Sequence, residues 1–76
     1  MKGKIRVGDT VLWKGCFGTA RAKRAKILSI QLCEHEREKY GEDVDEIDGR
    51  DILRGVFDLD NGHWCYGEQI VRKVEE

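Results

Sequence analysis

The stretch DLDNGHWCY, residues 58–66, decides the fold. Apolar and polar residues alternate on both sides of its Asn61-Gly62 dipeptide, which is the pattern of two strands that each bury one face. Asn-Gly readily takes the positive φ angles of a type I′ turn, one of the commonest connections in tight hairpins. The stretch therefore predicts a β-hairpin with a two-residue loop.

This loop length also predicts which side chains of the hairpin face the core. A two-residue loop pairs Leu59 with Trp64. It also pairs Phe57 with Tyr66, two positions further from the turn. Because side chains alternate between the two faces of a strand, all four lie on one face. We expect that face in the core and Cys65 on the solvent face.

A first strand is predicted over residues 7–14, ahead of the hairpin. Val7, Val11 and Trp13 share one parity in this segment, so we expect all three to face the core. The Gly-Asp dipeptide at positions 8–9 interrupts the strand and predicts a turn or bulge.

A longer second strand follows, and its hydrophobic phase slips once. Ala25 and Ile27 share one parity. Leu28, Ile30 and Leu32 share the other. A bulge between Ile27 and Leu28 would keep both sets inward and bend the strand, as happens at the corners of small barrels. We expect that bulge.

The end of the chain completes an all-β prediction. Residues 67–70 predict a single 3₁₀ turn, and residues 71–74 predict a last short strand. Nine glycines, no proline and almost no helical periodicity are typical of strands joined by tight turns. The pattern predicts an all-β, five-stranded SH3-like barrel with a short 3₁₀ turn before its last strand.

Residues 34–54 form the largest departure from a minimal barrel. About twenty residues are long for a connection between the second and third strands, and loops of that length are often functional. We expect a long acidic loop with one helical turn near residues 49–53. Its apolar side chains are predicted to pin it to the barrel; they are Val44, Ile47, Ile52 and Leu53.

Composition limits the class of protein. A chain of 76 residues has room for one modest core, so we expect residues 1–76 to form a single domain. No apolar run approaches the roughly 18 residues of a membrane-spanning helix, and the start has no signal-peptide pattern. Three cysteines without CxxC spacing favour reduced thiols. We therefore expect a cytoplasmic protein that contains no membrane segment.

The net charge of −1 conceals an uneven distribution of charges. Residues 1–32 carry eight Lys or Arg and one acid, a balance of +7. Residues 33–60 carry eleven Asp or Glu and four bases, a balance of −7. The two parts could attract each other within one molecule or between two copies in a symmetric homodimer.

Three segments together resemble a known architecture. They are VGDTVLW at residues 7–13, AKILSI at 25–30 and VFDLDNGHW at 56–64, and they resemble SH3-like small β-barrels of the Tudor or KOW type. The segment from DNGHW at residues 60–64 to Gln69-Ile70 is also similar to small uncharacterised proteins of bacteria and their phages. The first resemblance implies a barrel fold. The second implies a cellular location but does not indicate any activity.

Two Cys-x-His or His-x-Cys pairs are the only candidate metal ligands. Cys33 and His35, and likewise His63 and Cys65, lie two apart in strands and so project to one face. Four such ligands suit zinc, although structural zinc sites usually use CxxC or longer knuckles. The alternative is that His63 pairs with Asp60 across the turn and the thiols are small packing groups. We expect no cofactor and no metal.

The segment at residues 21–26, called the basic segment below, is a candidate nucleic-acid contact. Cations clustered along one strand can neutralise phosphates. They can equally line a solvated strand edge that resists pairing with other chains. The candidate residues are Arg21, Lys23, Arg24 and Lys26.

Five aromatic residues offer another kind of surface. Trp13 and Trp64 are expected in the core, because a domain of this size needs its tryptophans inside. Phe17 and Tyr40 lie in predicted loops and are better surface candidates, and Tyr66 shares the inward face of the hairpin. The Tudor resemblance implies that such a surface is a cage for methylated side chains or a peptide groove.

These observations predict a non-catalytic binding module. Ser29 is the only serine, no histidine stands in a familiar nucleophile motif, and no glycine-rich phosphate loop follows a strand. The main hypothesis is binding of a protein partner through the long acidic loop. The alternatives are nucleic-acid binding through the basic segment or, if the chain derives from a phage, inhibition of a host nucleic-acid-binding protein by an acidic loop that imitates nucleic acid. The predicted partner-binding residues are Phe17, Tyr40, Glu42, Asp43, Asp45 and Glu46.

Overall fold

The computed structural model describes residues 3–74, apart from the side chain of Phe17. Strands dominate this part of the chain, which confirms the prediction of a mostly β protein. The elements run in the order β1 (Lys4–Arg6), β2 (Thr10–Lys14), α1 (Gly15–Gly18), β3 (Ala22–Leu32), β4 (Glu42–Val44), β5 (Glu46–Asp48), a first 3₁₀ helix (Gly49–Arg54), β6 (Gly55–Leu59), β7 (Trp64–Tyr66), a second 3₁₀ helix (Gly67–Gln69) and β8 (Ile70–Lys73).

The strands form two antiparallel sheets. The smaller sheet pairs β1 with β5. The larger follows the order β7-β6-β3-β2-β8, and β4 joins it by pairing with β3. Within residues 3–74 the sheets do not close into one barrel. The strand count exceeds the expected five because β1, β4 and β5 form where other structure was predicted.

The stretch predicted as a long loop, residues 34–54, holds β4, β5 and the first 3₁₀ helix. Ile47 and Ile52 are buried, and Val44 packs against the core, so apolar burial stabilises these short elements. Leu53 is 46% exposed and does not pin the segment as predicted. The stretch is therefore mostly ordered secondary structure.

The helical turn predicted near residues 49–53 is present as the first 3₁₀ helix. The side chain of Asp48 accepts a hydrogen bond from the backbone N–H of Arg50, which caps its start. The 3₁₀ turn predicted before the last strand is confirmed as well, at Gly67–Gln69.

The predicted first strand is shorter than expected, because a tight turn at residues 7–8 separates β1 from β2. Gly8 has a φ of 97°, and the Asp9 carboxylate accepts a hydrogen bond of 2.8 Å from the Arg6 amide. The turn places Val7 outside the core, with 42% of its surface exposed, and Ile5 on β1 is buried instead. Val7 was predicted to face inward, and that prediction is wrong.

The bulge predicted in the second strand is confirmed. The pairing of β3 with β6 shifts register between Ile27 and Ser29. Leu28 is the extra residue, and it points outward with 56% of its surface exposed. The bulge therefore keeps Ile27 and Ile30 buried as expected, but it releases Leu28 from the core.

The hairpin of β6 and β7 differs from its predicted register by one residue. Phe57 pairs with Cys65, and Asp58 pairs with Trp64. The amide of Leu59 donates to the carbonyl of His63 at 2.9 Å, which leaves three residues in the loop. A slip of one residue exchanges the faces of β7.

The loop geometry explains this slip. A type I′ turn requires positive φ at both central residues, whereas here Gly62 has a φ of 84° and Asn61 does not have a positive φ. The Asn61 side chain instead accepts a hydrogen bond from the amide of His63. This matches the three-residue loop in which glycine alone takes the left-handed conformation.

The exchange reverses the predicted burial of two side chains. Cys65 has no exposed surface, although it was predicted to face solvent. Trp64 is 40% exposed, although it was predicted in the core. Tyr66 is only partly buried, whereas Phe57 and Leu59 are buried as predicted.

One hydrophobic core lies between the sheets. Trp13 is 4% exposed and belongs to it, as predicted. Within residues 3–74, no helix has the length and apolar character needed to cross a lipid bilayer. The buried members of the core are Ile5, Val11, Trp13, Ala25, Ile27, Ile30, Ile47, Ile52, Phe57, Leu59, Cys65 and Ile70.

Candidate functional site

One surface combines exposed apolar side chains with carboxylates, and we call it the acidic face. It consists of Val7, Leu28, Asp43 and Asp45, which line a shallow depression of about 310 Å³. The turn after β1 exposes Val7, and the bulge of β3 exposes Leu28. The described residues form no ion pair with either carboxylate. The face therefore offers free negative charge beside apolar surface.

Hydrogen bonds between main-chain groups hold the acidic face in place. The amide of Val7 donates to the carbonyl of Asp45 at 3.0 Å. The amide of Gly8 donates to the carbonyl of Ile27 at 2.9 Å, next to Leu28. The turn, the bulge and the end of β4 are thus joined, so the face is formed without a partner.

The predicted acidic residues are divided between different surroundings. Asp43 and Asp45 lie on the acidic face. Glu46 lies on β5, where its carboxylate meets Lys4 at 3.2 Å and Arg6 at 3.7 Å, so its charge is paired within the molecule. Glu42 is exposed near the far end of β3 and lines a different depression. The four predicted acidic residues therefore do not share one surface.

Tyr40 lies apart from the acidic face and close to Trp64. It is 77% exposed, and with Trp64 it lines a small depression. The ammonium of Lys39 lies 4.8 Å from the centroid of the Trp64 ring and 5.8 Å from that of Tyr40. The side chain of Phe17, the other predicted aromatic contact, lies outside the described part of the structure.

A second concave surface lies at one end of the larger sheet, and we call it the aromatic mouth. Its principal residues are Trp13, Lys23, His63 and Trp64, around a cavity of about 330 Å³. Trp13 pairs with Lys23 across β2 and β3. The ring centroids of Trp13 and His63 are 5.6 Å apart at an interplanar angle of 44°. Gly15, Cys16, Ala20 and Gln69 complete the lining.

The basic segment reaches this mouth through one residue. Lys23 lines the mouth, whereas Arg24 and Lys26 project from the opposite face of β3. All four predicted cations, Arg21 included, are exposed, and none forms an ion pair with a described residue. The acidic strand β5 pairs with β1 instead, so the acidic stretch does not close over the basic segment.

The four candidate zinc ligands do not come together. Cys33 is buried at the end of β3 and donates to the carbonyl of Glu38, whereas His35 is exposed. Cys65 lies in the core, and the His63 ring lies beside that of Trp13 at the mouth, tilted by 44°. Among the described residues, no three Cys, His, Asp or Glu side chains gather as metal ligands.

The buried thiols are also held in their protonated form. Burial raises the pKa of Cys65 to about 12. Burial, and then the nearby Glu38 carboxylate, raise the pKa of Cys33 against an opposing effect of Arg54. Because a metal binds the thiolate, both environments oppose zinc binding.

Searches against protein-family models, curated proteins and solved structures found no match to this chain. Sequence reasoning missed the exposure of Val7, Leu28 and Trp64, because all three depend on turn and bulge geometry. The adjacent Lys39-Tyr40 pair was the one visible sign of a surface near Trp64.

Proposed function

We propose that this chain is a non-catalytic binding module whose acidic face takes a segment of a partner protein carrying apolar and basic side chains. The observation that carries the proposal is the position of Leu28. It is the bulged residue of β3 and 56% exposed, it lies beside the exposed Val7, and the carboxylates of Asp43 and Asp45 flank it.

The apolar and the acidic side chains of this face would contribute differently to the complex. Fully burying a Val or Leu side chain is worth about 1.5–3 kcal/mol, so covering two half-exposed ones contributes about that amount in total. The carboxylates of Asp43 and Asp45 attract Lys or Arg and exclude acidic partners. Because the face is already formed, little ordering entropy opposes binding.

We also propose that the larger sheet is an open variant of the SH3-like barrel of the Tudor or KOW type. The strand order β7-β6-β3-β2-β8 supports this, since it is a meander of five strands whose last member returns beside the first. The 3₁₀ helix before β8 and the bend of β3 at its bulge support it further.

A second candidate is nucleic-acid binding through the basic segment. Its four cations are exposed and form no ion pair with described residues, which leaves them available to phosphates. Replacing Arg21, Lys23, Arg24 and Lys26 by Ala should then abolish a salt-dependent shift of labelled nucleic acid in anisotropy. No shift with the wild type near physiological salt would remove this candidate.

Affinity capture with matched variants tests the protein-binding proposal. Tagged wild type, Leu28→Ser and Asp43→Asn/Asp45→Asn are incubated with a lysate of the source cell, and bound proteins are quantified by mass spectrometry. We expect one protein to be retained by the wild type and depleted at least about tenfold by either variant, since each removes about 1.4 kcal/mol or more.

Two controls change similar groups elsewhere on the molecule. Val71→Ser alters an apolar residue of β8 that is 49% exposed, and Glu34→Gln/Glu36→Gln removes two exposed carboxylates. Both should retain the partner. A set of bound proteins that is the same for all variants would contradict the proposal. Recovery of untagged copies of this chain would show that the partner is a second copy, which forms a homodimer with the first.

A further inference from the structure

We infer that the aromatic mouth binds a planar aromatic ring that carries an anionic group, which is the chemistry of a nucleotide. This site goes beyond the proposed function, because it lies on a different face and uses different residues. The groups that would contact the ligand belong to Trp13, Lys23, His63 and Trp64.

The shape and lining of the mouth favour a flat, mostly apolar ligand. The cavity of about 330 Å³ falls in the range of small-molecule sites. Three of its side chains are aromatic rings, those of Trp13, His63 and Trp64. Gly15, which has no side chain, and Ala20, which has only a methyl group, leave room beside those rings. Aromatic rings prefer offset-stacked or edge-to-face partners, so another ring fits this lining well.

Trp64 is exposed but held in position. Its ring meets that of Tyr66 edge-on, with centroids 5.1 Å apart at 84°, and the Lys39 ammonium lies over it at 4.8 Å. The indole is 40% exposed on the edge strand β7, and it lines the mouth directly. It therefore forms a rigid stacking surface for a ligand ring.

Lys23 supplies the positive charge. It lies opposite Trp13 in the pairing of β2 with β3, on the face of β3 that carries the buried Ala25. Its ammonium pairs with no carboxylate among the described residues, and none of the described lining residues is acidic. An anion attached to the stacked ring would find its counter-charge there.

A buried donor at the mouth also lacks a partner. Trp13 is 4% exposed, and its indole Nε1–H makes no hydrogen bond to the described residues. Leaving such a donor unpaired costs about 1–3 kcal/mol. A nucleobase brings ring nitrogens and carbonyl oxygens that accept hydrogen bonds, so it can pair with Nε1 once the indole turns to expose this buried atom.

Titration by two-dimensional amide NMR tests the site, because the two tryptophans give two separate indole N–H signals. The probes are adenosine 5′-monophosphate, adenosine, ribose 5-phosphate and a single-stranded oligodeoxynucleotide. We expect the monophosphate to shift both indole signals to saturation and adenosine to bind at least about tenfold more weakly, because it lacks the charge paired with Lys23. Ribose 5-phosphate should leave both signals unchanged, because it lacks the ring.

Variants separate the ring contact from the charge contact. Lys23→Ala should weaken binding of the monophosphate to the level of adenosine, whereas Lys26→Ala, on the opposite face of β3, should leave it unchanged. Trp64→Ala should weaken the binding of both the monophosphate and adenosine. The remaining indole signal, that of Trp13, still reports binding and folding. Equal effects of the two lysine variants would overturn the proposal.

The oligonucleotide distinguishes a free nucleotide from a base in a strand. If the monophosphate binds as tightly as the oligonucleotide, the site serves a free nucleotide. If the oligonucleotide binds more tightly, with an affinity that falls steeply with salt, the mouth takes a base of a single strand. If neither the monophosphate nor the oligonucleotide shifts the indole signals at millimolar concentration, the proposal is wrong.

Discussion

Cys65 places a thiol on the inner face of the hairpin, where it packs opposite Phe57 and has no contact with solvent. Burial disfavours the charged form of any group, so the folded protein keeps this thiol neutral well into the alkaline range. The group is therefore a packing residue with a pH-dependent contribution to stability, and it is unsuited to nucleophilic chemistry.

Alkaline unfolding should reveal the buried thiol. In the unfolded chain the Cys65 thiol ionises near its ordinary pKa of 9.0, whereas in the folded chain its pKa is about 12. The stability that this group contributes is fully present below pH 9.0 and is lost as the pH rises towards about 12, by about 1.4 kcal/mol per pH unit. Urea unfolding of the wild type and Cys65→Ala across this range measures the loss.

The control for this experiment is Cys16→Ala, since Cys16 is exposed. We expect the stability of Cys65→Ala to fall less steeply with pH than that of the wild type. Cys16→Ala should follow the wild type. Parallel curves for all three proteins would show that the Cys65 thiol is not the group responsible.

Gly67 is the glycine at which a side chain would be least tolerated. A Cβ there would lie 1.7 Å from the carbonyl oxygen of Ile52, where the two 3₁₀ helices touch. Since that atom belongs to the backbone, Gly67→Ala should cost several kcal/mol, on the order of the largest single-residue effects. Gly15→Ala is the matched control, because its Cβ would approach no closer than 3.4 Å to the Trp13 ring. Thermal unfolding should rank the two variants, and equal melting temperatures would contradict the close contact.

Among the elements, the hairpin of β6 and β7 determines which of its side chains face the core and which face solvent. A loop of three residues rather than two puts Cys65 in the core and Trp64 at the aromatic mouth. Recognition by Trp64 therefore depends on the conformation of residues 60–62. The turn is in this sense part of the site.

Thiol labelling tests this register directly. Of the three cysteines, Cys16 is exposed, whereas Cys33 and Cys65 are buried. A maleimide reagent should therefore modify one thiol in the native protein and three in denaturant, as counted by intact mass. The predicted two-residue loop would expose Cys65 as well, so rapid labelling of two native thiols, with the second lost in Cys65→Ala, would support that register instead.

The sequence predicted the features that alternation and local turn signals control. The bulge beside Ile27, the two 3₁₀ turns and the burial of Trp13 and Phe57 all follow from apolar period and glycine placement. These signals act over a few residues, so one sequence suffices to find them.

The sequence could not predict the features for which two or more local backbone conformations suit the same residues. Asn-Gly suits both two-residue and three-residue loops, and the choice rests on the φ of Asn61. Leu28 leaves the core because a bulge has one unpaired residue, and the apolar pattern does not say which one. The strands at β4 and β5 form because Ile47 reaches the core, which is a contact between distant parts of the chain. The acidic face and the aromatic mouth arise from these three features.

Positive and negative side chains occupy different parts of the molecule. The N-terminal half of β3 carries the exposed cations, and β4 beside its C-terminal half carries exposed carboxylates. The ion pairs of Glu46 with Lys4 and Arg6 neutralise only part of the acidic stretch. The remaining field should steer oppositely charged partners to opposite ends of the molecule.

Partner binding at the acidic face should therefore weaken as salt rises. Raising the salt from about 0.01 M to about 1 M shortens the Debye length from about 30 Å to about 3 Å, which screens exposed carboxylates. Titration calorimetry of the captured partner at both salts should show a loss of affinity for the wild type and a smaller loss for Asp43→Asn/Asp45→Asn. An affinity independent of salt would mean that Leu28 and Val7 act without these carboxylates. Sedimentation at both salts would show the same trend if the partner is a second copy of this chain.

The eleven-residue strand β3 passes through both candidate surfaces. Lys23 lies at the aromatic mouth and Leu28 at the acidic face, five residues apart, which corresponds to about 16 Å along an extended strand. Two occupants at that spacing can be held at once without overlap. The protein would then act as a small adaptor that joins a ligand at one end of a strand to a protein at the other.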